Sequence, residues 1–87
     1  MLPEGPLVTL DLYLAAYHLL KGATVKLIWQ AKSVAFVLER NEEFYRVQNE
    51  YYTNADVPVW DYVNTVKKLR GDMHSYRYAH MDMGGKK

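Results

Sequence analysis

TVKLIWQAKSVAFVLE, residues 24–39, decides the fold. Its first half alternates, with Val25, Leu27 and Trp29 on one face and Thr24, Lys26, Ile28 and Gln30 on the other, the two-residue period of a strand with one drier side. Its second half, Val34 to Glu39, is β-branched and almost continuously apolar, and reads as a second strand. Ala31, Lys32 and Ser33 make a short polar break between them. A β-hairpin is the simplest reading, although the break lacks the glycine that usually marks such a turn. A two-stranded ribbon is marginal alone, so helices must cover it or a second copy must extend it.

Upstream, Pro3, Gly5 and Pro6 make residues 1–7 an irregular lead-in to one domain expected over residues 8–80. Thr9 is placed as the N-cap of a first helix over about residues 10–21, with Asp11 in the first turn, where a carboxylate interacts well with the exposed amides. Gly22 sits where a left-handed residue closes a helix. Leu10, Tyr13, Tyr17 and Leu20 share one side of this helix, and Leu12, Ala15, Ala16 and Leu19 the other. A helix apolar on two sides must be covered on both.

Downstream, Asn41 reads as the N-cap of a second helix over about residues 42–53, with Glu42 and Glu43 at its start and Phe44, Val47 and Tyr51 as its buried stripe. NADVP, residues 54–58, breaks it, and Pro58 suits the first turn of a third helix. Val59, Tyr62, Val63, Val66, Leu69, Met73 and Tyr76 recur at helical spacing, which predicts a helix to about residue 80. Gly71 lies inside it at a cost of roughly 1 kcal/mol. Residues 81–87 read as a flexible basic tail. The predicted architecture is α+β, a small single domain in the order helix, β-hairpin, helix, helix (αββαα), with the hairpin edge open to dimerisation.

Composition agrees with one folded domain: 87 residues, 49% hydrophobic, two Trp, eight Tyr and two Phe. The absence of cysteine excludes disulfides and thiolate metal sites. The apolar run near the start is interrupted by Asp11 and His18 and preceded by no basic region, which argues against a targeting segment, and it falls short of the roughly 20 residues that span a bilayer. A soluble, cytoplasmic protein without membrane partners is expected. The net charge of +1 hides an asymmetry: residues 31–56 carry three basic against five acidic groups, residues 57–87 six against three. The C-terminal end is the basic one.

Three pieces, TLDLYLAAYHLLKG (residues 9–22), VAFVLERNEEFYRVQNEYY (34–52) and VPVWDYVNTVKKLRG (57–71), together resemble a family of short prokaryotic and phage proteins catalogued only as a domain of unknown function, DUF5659. The marks are Asp11 to Ala16, the Phe36–Val37 pair ahead of a helix ending in two tyrosines, and Val63–Asn64 leading to Lys68 and Leu69. These are mostly packing positions. The resemblance implies a fold and a phage or prokaryotic setting, and supplies no activity.

Catalysis is not expected. Ser33 and Ser75 sit in no nucleophile-elbow pattern, and no glycine-rich loop of phosphate-binding form is present. His74 and His80, six residues apart, lie about 120° from each other on a helix, unlike an i, i+4 ligand pair, so no metal site and no cofactor are expected. His18 reads as a hydrogen-bonded, half-buried residue, and Glu39, Glu42 and Glu43 as carboxylates at a helix start. No small-molecule substrate is expected for so small a domain.

The segment VNTVKKLRGDMHSYRYAHM, residues 63–81, carries the binding chemistry. At helical spacing Trp60, Lys67, Arg70, His74, Arg77 and Tyr78 fall within a sector of about 100°. Lys68 adds a further cation beside it. Such a strip contacts phosphates through charge-assisted hydrogen bonds and offers rings for stacking, which points to a small nucleic-acid-binding protein, and the phage or prokaryotic setting that the resemblance implies makes an accessory or regulatory role the expected one. The bland reading is a solvated face whose long side chains cover the core margin. The sequence pI of about 8.0 is low for a dedicated DNA-binding domain. The alternative is a protein-interaction module, a homodimer, adaptor or small inhibitor, whose anchors are Trp29, Tyr13, Tyr45, Tyr52 and Tyr62 at the stripe margins.

Overall fold

The computed structural model describes residues 5–82. In chain order they form β1 (Leu7–Thr9), α1 (Leu12–Leu20), β2 (Val25–Gln30), β3 (Ser33–Leu38), α2 (Glu42–Tyr52) and α3 (Val59–Asp82). The expected class and the order helix, hairpin, helix, helix are found, with one short strand added in front.

β2 and β3 pair antiparallel from Val25↔Leu38 to Gln30↔Ser33, which leaves Ala31 and Lys32 as the two turn residues. Both adopt positive φ, 54° and 64°, the backbone of a two-residue type I′ turn made without glycine. The paired strands on either side hold these residues in a left-handed conformation that costs each roughly 1–2 kcal/mol.

The lead-in is corrected at its end. Leu7, Val8 and Thr9 pair antiparallel with Leu38, Val37 and Phe36, so β3 is the central strand in the order β1-β3-β2. The first helix therefore starts two residues later than expected. Thr9 does not cap it: its Oγ1 accepts from the Asp11 amide at 3.0 Å, and Asp11 is the N-cap, its Oδ1 accepting from the amides of Tyr13 and Leu14 at 3.0 and 3.1 Å. Thr9 lies three residues ahead of the first helical residue, so its hydroxyl meets the Asp11 amide and not the first turn, and Leu10, expected in the helix, is left 69% exposed between the two elements. The helix closes at Lys21, followed by Gly22 at φ 101° as anticipated.

One sheet face carries Phe36, Leu27 and Val25, and α1 and α3 pack on it. Ala15 and Ala16 are fully buried, and with Phe36, Val66 and Leu69 form the core, flanked by Leu12, Leu19, Tyr62 and Met73. On its other side α1 meets α2, where Tyr17 packs edge-on against Tyr51 and His18 stacks on Phe44. The prediction that α1 is covered on both sides holds. Asn41 caps α2 through its Oδ1, which accepts from the Phe44 amide at 2.8 Å. Glu43 and Glu50 flank Arg46 on the outer side of α2, and Glu50 also reaches Lys21 at 3.5 Å.

α3 runs without interruption through Gly71 to Asp82, two residues beyond the predicted end. Its buried stripe is shorter than expected: Val59 is 71% exposed, because Tyr62, one turn later, is the residue that first meets α1, through Tyr13 and Tyr17. At the far end His80 stacks on Trp29 and on Tyr76, tying the last turns of the helix to β2. The rest of the predicted tail, residues 83–87, lies outside the described residues.

Two outcomes follow for stability. Ala31→Asn with Lys32→Gly relieves the turn and raises the unfolding free energy by about 1–2 kcal/mol in a urea titration. His18 is buried, and burial holds its pKa below 6.5 even though the hydrogen bond with Gln48 pulls it up. The unfolded chain then takes up the proton first, so the stability due to neutral His18 is complete above about pH 6.5 and declines as pH falls towards the depressed folded-state value. Thermal melts between pH 7 and 5 should drop accordingly, and His18→Gln should flatten that segment of the profile.

Candidate nucleic-acid interface

α3 has 24 residues, a rod about 36 Å long. Its inward side is set by Tyr62, Val66, Leu69, Met73 and Tyr76, which are buried or half-buried. Its outward side carries Trp60, Lys67, His74, Arg77 and Tyr78, all exposed, and half-buried Arg70 at the margin with α1. Trp60 and Tyr78 are among the most exposed large side chains, at 72% and 73%. They are 18 residues apart in the sequence. This is about five turns and 27 Å along one line of the helix, with the cations between them. Continuity past Gly71 is what keeps the two halves of this strip in register.

Arg70 is the positioned cation. Its Nη2 donates to the Tyr13 hydroxyl at 3.1 Å, and the Tyr62 hydroxyl donates to the Tyr13 carbonyl at 2.8 Å, so the N-terminal turn of α1 braces the middle of the strip. A neutral hydroxyl orients the guanidinium without cancelling its charge, leaving its other donors for an anion. Burial, with the neighbouring Tyr51 and Asp11 adding to it, pushes the Tyr62 phenol up to about 12, so it stays protonated and able to donate. This brace spans 57 residues of sequence and left no signal there.

Lys68 does not join the strip. It lies a further 100° round the helix from Lys67, and its Nζ pairs with Asp72 Oδ2 at 3.1 Å on the flank. Asp61 and Asp72 sit about 120° and 140° from Lys67, so between Trp60 and Tyr78 the strip itself carries no carboxylate.

The alternative aromatic set is divided among three places. Tyr13, Tyr62 and Tyr52 belong to a belt continued through Tyr17 and Tyr51. Tyr45 packs on Phe44 at the start of α2, and half-buried Trp29 is taken up by His80 at the opposite end of the molecule. Within this set Tyr52, at 65%, and Tyr13, at 50%, keep the most exposed surface.

A cleft of about 720 Å³ opens where the end of α1, the start of α2 and the ends of β2 and β3 meet, lined among others by His18, Lys21, Lys26, Glu43, Phe44 and Val47. His18 Nε2 is engaged with Gln48 Oε1 at 3.2 Å, and Lys21 and Glu43 are both ion-paired. Its lining comes from four segments, so sequence spacing held no trace of it. Among the described residues no three His, Asp or Glu side chains gather as a cation site, and no helix is long and apolar enough to cross a membrane.

No protein-family model, no curated protein and no solved structure matches the chain. The resemblance noted at Asp11–Ala16, Phe36–Val37 and Val63–Leu69 therefore rests on those residues alone.

Gly71 tests the role of helix continuity. A Cβ there meets nothing within 4 Å. Gly71→Ala should raise stability by about 1 kcal/mol in chemical denaturation and leave any ligand affinity of the strip unchanged or slightly higher. A loss of stability on Gly71→Ala would mean that the helix bends at this residue in solution.

Proposed function

We propose that the chain is a small, non-enzymatic, cytoplasmic binding protein whose outward α3 surface contacts nucleic acid through its phosphates. The observation that supports this most is that Lys67, Arg70, His74 and Arg77 share one sector of a continuous helix, and that sector carries no carboxylate between Trp60 and Tyr78. Lys67, Arg70 and Arg77 supply the charge and charge-assisted hydrogen bonds, while Tyr13 fixes the Arg70 guanidinium at the margin with α1. His74 adds a hydrogen-bond donor. A contact of this kind is electrostatic, tolerant of sequence and weakened by salt. An accessory or regulatory role in nucleic-acid metabolism is the fitting one for so small a domain. A second reading, a protein partner held at the tyrosine belt, is supported by the exposure of Tyr13 and Tyr52.

Fluorescence anisotropy with labelled single- and double-stranded oligonucleotides distinguishes the two. Affinity for at least one form should fall linearly with salt on logarithmic axes, and Arg70→Ala plus Arg77→Ala should weaken binding and lower that slope by about one to two. Indifference to both changes removes the nucleic-acid reading. Loss of a pulled-down protein partner on Tyr52→Ala, with no oligonucleotide bound, would favour the second.

A further inference from the structure

Trp60 and Tyr78 are the least explained side chains of α3. Each is more than two-thirds exposed, and neither ring packs against another ring among the described residues. Leaving a large indole and a phenol in water on the outward line of a helix brings the folded chain little, since the core is closed on the opposite side by Val66 and Leu69. Their place is specific. They bracket the cations, one at each end of the strip, about 27 Å apart on the same line of the helix.

We infer that the ligand of this surface is an unpaired strand, DNA or RNA, whose phosphates follow Lys67, Arg70 and Arg77 and whose bases stack on Trp60 at one end and Tyr78 at the other. This deepens the nucleic-acid reading and rests on it. In a duplex the base faces are already stacked, so two exposed rings gain nothing there, whereas an unpaired base presents a free π-face to each. Amide side chains that read base edges in a duplex groove are not gathered here: Asn64 is the one Asn or Gln of α3. At the stacked spacing of roughly 3.4 Å per nucleotide, the two rings are spanned by about eight nucleotides, and fewer if the strand is stretched.

The test uses the full chain with oligothymidylates of four, eight and twelve residues and a hairpin duplex of matched phosphate number, at two salt concentrations. The eight-residue strand should bind at least tenfold more tightly than the duplex, and shortening it to four should weaken binding several-fold. Tryptophan emission should be quenched by the single strand in the parent chain, and the quench should be lost in Trp60→Phe, which keeps Trp29 as an internal reference. Trp60→Ala with Tyr78→Ala should cost single-strand affinity about tenfold or more while leaving the salt slope unchanged, because no charge is removed. Circular dichroism checks that these exposed positions leave the fold intact. Equal or tighter duplex binding, or ring removal without effect, overturns the single-strand inference and leaves the polyanion reading in place. Failure to bind either form removes both.

Discussion

The fold depends on the close approach of α1 to its neighbours at Ala15 and Ala16. Both are fully buried, between the sheet's Phe36 and the Val66 and Leu69 of α3. A methyl group at each of these positions lets a helix lie near both a sheet and a second helix, so that one cluster of side chains serves all three. Larger side chains there would push α3 away from β3 and open the core; leucine at either site would require shifts that a close-packed interior tolerates poorly. Because the same helix also presents Tyr17 and His18 to α2, it is the central member of the helical layer.

That arrangement fixes which side of α3 is free. Once Leu69 and Val66 are seated against α1, the helical repeat turns Trp60, Lys67, His74 and Tyr78 away from the body, and the brace from Tyr13 to Arg70 and Tyr62 sets the helix against α1 near its middle. His80 against Trp29 holds its distal end. Three contacts along the rod thus hold an exposed surface on a rigid element. The cost of Gly71 within the helix is offset by packing on both sides of it, at Leu69 and Met73.

Much of this was legible in the residues. The alternation of Val25 to Gln30, the Asn41 cap, Gly22 at the end of α1 and the stripe from Tyr62 to Tyr76 each signal locally, because propensity, period and capping are properties of a few neighbouring residues. The outward sector of α3 was legible for the same reason, since a helical position determines its direction once the helix exists. The misplaced start of α1 has an equally local cause. Thr9 and Asp11 are both good caps, and only the fold, in which Thr9 ends β1 and Asp11 takes the helix amides, decides between them.

What the sequence by itself determined is the set of helices, the hairpin and the face on which most apolar residues lie, Leu10 and Val59 excepted. Only the tertiary structure decided that Leu7 to Thr9 form a strand, since three residues carry no period and acquire their partner from the far edge of β3. It alone decided that Arg70 is braced by a tyrosine 57 residues away and that Trp29 stacks on His80. Contacts of that kind join segments whose separation along the chain is large and variable, so no spacing rule encodes them; they exist only when packing has already brought the elements together.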